Sequence, residues 1–308
     1  MALVFTSDEL ISSIRRIGSI PNTGAPGFAD SDILRCATET LWSKVVPNLI
    51  KTREEYYANI ERRTVAASIT RYRIPKRAIM QKLRDVSLVG GDGANTYLRS
   101  LQREEVSGSQ STGTVLGYYL EGNDVILVPS PSAGTTLEFA YFFRPGSLVL
   151  VANARQITAV DPVTRTVTLS SANTSWSTSN IFDIHSKESG AEIKIWDAAA
   201  TTVGATIVFS ASFPIDGSTA GTRAVEVGDW VCLAEEAAVP GCPKEIHPLL
   251  ALAVAMRFAS STGDMEVFKA QAAEYSSDMK ALVGIAESRV EGKPIRIRGH
   301  RGFLGRMR

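Results

Sequence analysis

Residues 246–258, IHPLLALAVAMRF, decide how the chain must fold. Ile246, Leu249, Leu250, Ala253, Val254 and Phe258 return at steps of three and four, and little between them is polar. Such a helix is apolar nearly all round and must lie at a centre. His247 and Pro248 stand at its start. Thr262-Gly263-Asp264 interrupts the period, with Asp264 placed to cap a second helix. Met265, Phe268, Ala272, Tyr275, Met279, Leu282 and Ile285 then mark one face of a long helix. The pair predicts an antiparallel helical hairpin that needs other helices to cover it.

Those helices are expected at the other end of the chain. Thr6 and Glu9 have the spacing of a capping box before Leu10, Ile14 and Ile17, and Gly18 and Pro21 end that helix. After a loop at 22–27, Asp30 or Ser31 is expected to cap a helix carrying Leu34, Ala37, Leu41, Val45 and Leu49 on one stripe. Pro47 falls inside the pattern and predicts a kink, since it lacks a donor and crowds the preceding turn. N-terminal and C-terminal helices are thus read as one bundle.

The middle of the chain reads differently. Val65 to Ile74 is extended, and Pro75 is expected to start a short basic helix through Leu83. From Val86 to Arg144 short strands alternate with turns. Tyr118 to Val128 carries two apolar runs around Gly122-Asn123, a hairpin signal, and Leu137 to Phe143 is a strand stopped by Pro145-Gly146. From about 148 to 235 Ser and Thr are abundant and Lys and Arg scarce. Short strands, among them Val167–Leu169, Glu192–Trp196 and Thr206–Phe209, predict a small β-barrel or sandwich. The fold class is α+β: a helical core with β-hairpins over 1–147 plus 236–292, an inserted β-rich module over 148–235, and a basic arm over 293–308.

Across 308 residues, 33 Lys and Arg oppose 32 Asp and Glu, and 44% of residues are hydrophobic, a soluble globular composition. The longest apolar run, Leu249 to Met256, is too short for a bilayer, and no secretory leader is visible, so a membrane or secreted protein is not expected. Cys36, Cys232 and Cys242 are too scattered for a disulfide framework or zinc knuckle and read as reduced thiols. The near-zero charge hides an asymmetry. The arm, KPIRIRGHRGFLGRMR, has six basic groups and no acid. A second unbalanced stretch holds Arg62, Arg63, Arg71, Arg73, Lys76, Arg77, Lys82 and Arg84 with no intervening carboxylate. It reads as a solvated basic face, or as an interface with an acidic neighbour or with DNA.

Chemistry-bearing motifs are scarce. Val89-Gly90-Gly91-Asp92-Gly93 lacks the Lys-Ser/Thr of a phosphate loop, and no dinucleotide fingerprint, nucleophile elbow or His-Glu-x-x-His occurs. His185, His247 and His300 are too separated for a metal site, so neither a cofactor nor a metal is expected. The pairs Glu54-Glu55, Glu104-Glu105 and Glu235-Glu236 read as solvated surface, because sequence neighbours on a helix point about 100° apart. Trp176, Trp196 and Trp230 allow a carbohydrate-binding or carbohydrate-active module, or are simply core. A DNA-binding regulator is a further reading, weakened by the balanced charge and by the lack of a recognition-helix motif. In the arm, basic residues alternate with apolar ones. Lys293, Arg296, Arg298, His300, Arg301, Arg306 and Arg308 interleave with Ile295, Ile297, Phe303 and Leu304, which suits docking into a partner's groove.

Several blocks carry a family resemblance. Asp32 to Trp42 and Val46 to Tyr57 resemble the opening of head-to-tail adaptor proteins of tailed bacteriophages, as does the helix and loop from Glu9 to Pro21. Tyr72 to Pro75, Phe139 to Pro145, Val227 to Cys232, Pro243 to Leu250 and Arg289 to Pro294 follow in the same order. The resemblance implies a non-enzymatic virion protein, assembled in the host cytoplasm. It forms a homo-oligomeric ring, usually dodecameric, beneath the portal protein. Such a ring extends the channel for genomic double-stranded DNA without sequence-specific binding and gives tail or neck proteins a platform. It also implies a helical bundle core and a C-terminal segment that grips the portal, and makes the basic stretch from Arg62 to Arg84 a subunit interface or a lining of the channel.

Overall fold

A computed structural model of the chain describes residues 6–20, 28–52, 54–67, 69–90, 93–103, 106, 114–131, 134–187, 190, 192–218 and 223–286. The basic arm, 293–308, lies outside them. The fold is mixed α+β. Helix α1 (Ser7–Ile17) opens with the expected reciprocal cap between Thr6 and Glu9. Helix α2 (Asp30–Thr40) has Ala29 at its cap position without a side-chain bond. Asp30 instead pairs with Arg15 of α1 at 2.6 Å, so the expected capping residue serves as a tie between helices.

Pro47 is accommodated ahead of itself. Residues Leu41–Val45 form a π turn in which the amide of Val46 reaches back to the Leu41 carbonyl, and α3 (Val46–Thr52) continues beyond it. A proline ring crowds the carbonyl four residues earlier, here Ser43, and a widened turn relieves that crowding. Leu34, Ala37, Leu41, Val45 and Leu49 nonetheless stay buried on one stripe.

The β portion begins with β1 (Ala58–Thr64), β2 (Arg71–Arg73), β3 (Ala78–Val89), β4 (Asn95–Tyr97), β5 (Arg99–Ser100), β6 (Gly117–Glu121), β7 (Asp124–Val128) and β8 (Thr136–Phe143). Two four-stranded sheets result, ordered β1-β8-β3-β4 and β2-β7-β6-β5. Val86, Leu98, Leu127, Leu137, Phe139 and Tyr141 belong to one apolar cluster fed by both sheets. The basic helix expected after Pro75 is absent: Ala78 onward is strand β3. Ile79 and Leu83 have helical spacing, but pairing of Val86–Val89 with the apolar strand β8 outweighs that local signal. The Gly122-Asn123 hairpin forms as read, between β6 and β7.

The chain leaves this body at β9 (Ser147–Leu148) and returns at β16 (Glu236–Ala237), and the two strands pair in parallel. Between them β10 (Arg155–Asp161), β11 (Thr166–Leu169), β12 (Ile181–His185), β13 (Ile193–Val203), β14 (Thr206–Phe209) and β15 (Trp230–Leu233) close into a six-stranded barrel. Its interior is filled by Ile157, Val167, Trp176, Phe182, Ile184, Ile195, Phe209 and Val231. Closure removes sheet edges, and these apolar side chains pack together inside.

Helix α4 (His247–Thr262) ends at Gly263 in the left-handed region, and α5 (Met265–Ala286) folds back with Asp264 accepting the Val267 amide. Leu250 and Val254 of α4 share one apolar cluster with Leu10 and Ile14 of α1 and Ile33, Leu34 and Ala37 of α2. Met265, expected on the buried face of α5, is exposed.

Arg77 is the main polar link between sheet and barrel. It lies in the turn before β3, only 2% exposed, and its Nη2 donates to both oxygens of Asp183 on β12 and to Asp197 on β13, at 2.8–2.9 Å. Beside it Trp196 of β13 meets Phe143 of β8 edge-on, with ring centroids 6.1 Å apart. Removing one partner of a buried pair strands the other charge and costs about 3–5 kcal/mol. Arg77→Met is therefore expected to lower unfolding free energy in urea by that amount. Arg71→Ala, which breaks surface pairs with Glu121 and Asp124, should cost less than about 1 kcal/mol. Equal effects of the two substitutions would contradict this assignment.

Candidate functional site

The basic stretch does not form one face. A strand sends successive side chains to opposite sides, and the sheet brings carboxylates from distant strands to meet them. Arg62 pairs with Glu138 of β8 at 2.7 Å. Arg63 pairs with Glu61 and lies 5.2 Å from the centre of the Phe139 ring. Arg71 takes Glu121 and Asp124 across the hairpin, and Arg84 lies 3.6 Å from Asp85. Arg77 is interior and cannot serve on an interface or channel surface, which corrects its inclusion in that set. Arg73, Lys76 and Lys82 are exposed with no ion pair among the described residues, and the Lys82 ammonium lies 4.9 Å from the Phe142 ring centre.

The buried titratable groups serve the fold. Asp183 is fully buried and accepts the amides of Asp197 and Glu235, each at 2.9 Å, besides Arg77. Both amide donors have left-handed backbone, φ 51° and 69°. Burial pushes the Asp183 carboxyl up, while Arg77 and the amides pull it down. His185 is fully buried; its Nε2 donates to the Glu236 carbonyl at 2.8 Å and its Nδ1 has no partner among the described residues. His247, 1% exposed, meets the Cys242 carbonyl at 3.1 Å. Cys232 and Cys242 are buried and, with Cys36, free; burial pushes the first two thiols far up, away from the reactive thiolate. Among the described residues no group of three or more His, Cys, Asp and Glu could hold a metal ion. No helix among them is long and apolar enough to cross a membrane.

Among the described residues the surface carries open clefts and exposed contact side chains. The π turn presents Trp42, Ser43 and Lys44 to solvent. Trp42 is 39% exposed; its indole donates to the Pro145 carbonyl at 3.1 Å, and the Arg144 guanidinium stacks 5.7 Å from its ring centre. A shallow open cleft lined by Glu39, Lys44 and Arg257 adjoins it. Tryptophan and arginine at a rim of this kind are common protein-contact anchors.

A second feature interrupts β3. Ala78 pairs with Phe143 and Leu83 with Tyr141, so five steps along β3 face two along β8. The surplus bulges outward with Met80 and Gln81 in left-handed backbone, φ 48° and 58°. Ile79 packs inward against the helical cluster, while Met80 is 95% exposed. Sequence reading missed both features. A proline five residues after Trp42 was the available hint for the π turn, whereas the bulge arises from a register that one strand cannot reveal.

The candidate sugar-stacking tryptophans are placed inward. Trp176 and Trp230 are 7% and 8% exposed, and Trp176 packs edge-on against Phe182 in the barrel core.

Burial lowers the pKa of His185 and His247 from the ordinary 6.5. Asp183 and Asp229 favour the charged form of His185, and Arg77 opposes it. The unfolded chain binds more protons below 6.5, so these groups stabilise the fold above that pH and the contribution is lost as pH falls. Each histidine adds a slope of up to about 1.4 kcal/mol per pH unit. His185→Gln, which keeps a donor for the Glu236 carbonyl, should flatten the decline in urea stability between pH 6.5 and 5.5. An unchanged slope would show that His185 does not contribute.

No family model and no curated protein matches this chain.

Proposed function

We propose that this chain is a structural head-to-tail adaptor of a tailed bacteriophage, a ring beneath the portal that extends the DNA channel and carries the tail or neck. The observation that carries the reading is the ordered set of adaptor-like sequence blocks. Asp32–Trp42 and Val46–Tyr57 fall on α2, the π turn, α3 and the turn after it; Phe139–Pro145 falls on β8, and Pro243–Leu250 on the start of α4. The cluster shared by α1, α2 and α4 supports a bundle core, with α5 laid along α4 toward the C-terminal arm.

Electrostatics support the same reading. A channel for moving DNA must not hold it, because each phosphate contact adds salt-sensitive affinity. Internal pairing of Arg62, Arg63, Arg71 and Arg77 leaves few free cations in the stretch that looked most basic. A DNA-binding regulator loses its main support for the same reason. The carbohydrate reading lacks an open ring face, since Trp176 and Trp230 are core and Trp196 lies against Phe143. In this proposal the role is non-enzymatic, the location is the virion neck, and the arm from Lys293 to Arg308 grips the portal.

Light scattering on the purified chain, alone and mixed with a portal assembly, tests the proposal. The expected result is a 33.2 kDa monomer that joins the portal as a multimeric ring, and fails to join once Lys293–Arg308 is deleted. A full-length chain that never associates with portal would refute it.

A further inference from the structure

Met80 and Val163 are the most exposed large apolar side chains among the described residues, at 95% and 87%. They sit on different modules. Met80 tips the bulge of β3, where two consecutive residues other than glycine hold left-handed backbone. Such a conformation is disfavoured by about 1–2 kcal/mol per residue and persists where the surrounding structure enforces it. Here the inward packing of Ile79 and the β8 register on either side enforce it, and the result is an apolar side chain held out in water. Lys76 and Lys82 flank it in the chain; neither has a carboxylate partner among the described residues, and the exposed Lys82 reaches across the Phe142 ring, 4.9 Å from its centre.

Val163 tips the turn between β10 and β11. Asp161 fixes that turn by accepting the amides of Val163 and Thr164 and the Thr164 hydroxyl. Its carboxylate is exposed, has no ion pair among the described residues and is held below the usual carboxylate range by those bonds. Arg165, the nearest cation in sequence, is half-buried and directed to the Phe209 carbonyl. Strands β10 and β11 take no part in the Arg77 junction, which uses Asp183, Asp197 and Glu235. The molecule thus carries two small, rigid, apolar tips of opposite charge on separate modules. Two different complementary patches are what a heterologous, ring-closing interface requires of each subunit.

We propose that the Met80 bulge of one copy of this chain contacts the Asp161–Thr164 turn of the next copy, Met80 against Val163 and Lys82 toward Asp161. This rests on the adaptor reading and specifies its subunit contact. Lys82→Glu and Val163→Lys are the test pair, since both side chains face solvent and the Asp161 turn bonds are left in place. Sedimentation velocity over a concentration series, alone and with a portal assembly as template, reads the midpoint of ring formation for each full-length variant. Wild type is expected to assemble. Lys82→Glu places like charge against Asp161, and Val163→Lys places like charge against Lys82, so each should weaken assembly at least tenfold. The combined variant should recover most of that loss, because Glu and Lys then face each other. Wild-type behaviour in both single variants would overturn this contact and leave the ring intact as a reading. Additive losses without recovery would show that the two tips do not meet. A wild type that stays monomeric even with portal would overturn the contact and the adaptor reading together.

Discussion

The buried contact of Arg77 with Asp183 holds the two halves of the β structure in one arrangement. A charge taken out of water is tolerable only when its lone pairs and protons are matched. Asp183 meets that condition with Arg77 and two backbone amides, and the donors come from Asp197 and Glu235, both in left-handed conformations. The barrel therefore bends its own backbone at two points to complete a carboxylate site for a guanidinium supplied by the sheet. Such a site tolerates little displacement, so the barrel is seated rather than tethered. The parallel pairing of β9 with β16 closes the base of the excursion, and Gly190 passes so near the Pro240 carbonyl that a Cβ there would lie 1.9 Å from it.

From that constraint the outer surface follows. With β12 and β13 fixed on the body, the β10–β11 turn is held away from the junction, and the bulge of β3 stands on the opposite partner of the same ion pair. The proposed ring needs contact points whose relative positions do not drift, because a ring closes only when each rotation repeats. The packed barrel core and the doubly anchored base hold such points in place.

Much of the architecture was legible in the chain. The α4–α5 hairpin, the Thr6–Glu9 cap, the Gly122-Asn123 hairpin and strand β8 all carry local signals that agree with their tertiary settings, and composition and turn spacing marked a small β module without choosing between barrel and sandwich. What failed to read were features owned by pairs of distant segments. Pro75 suggested a helix through Leu83 because proline suits a first helical turn, and only β8 decides otherwise. The eight cations from Arg62 to Arg84 suggested a basic face because their carboxylates lie 50 or more residues away in several cases. Arg77 gave no sign that it is interior, since burial of a charge depends on the partner that the barrel brings. Met80 fell inside the expected helix from Pro75 to Leu83, and only the register with β8 turns it outward on a strand bulge.

Native-state hydrogen exchange at the amides of Asp197 and Glu235 tests the seating of the barrel most directly, because both protons point at the Asp183 carboxylate. These amides are expected to exchange as slowly as those of Phe139 and Tyr141 in β8, opening only with the whole fold. In Arg77→Met they should exchange through a local opening while β8 stays protected. Rapid exchange of Asp197 and Glu235 in the wild type, with β8 still closed, would show that the barrel moves independently and that the Arg77 contact does not hold it.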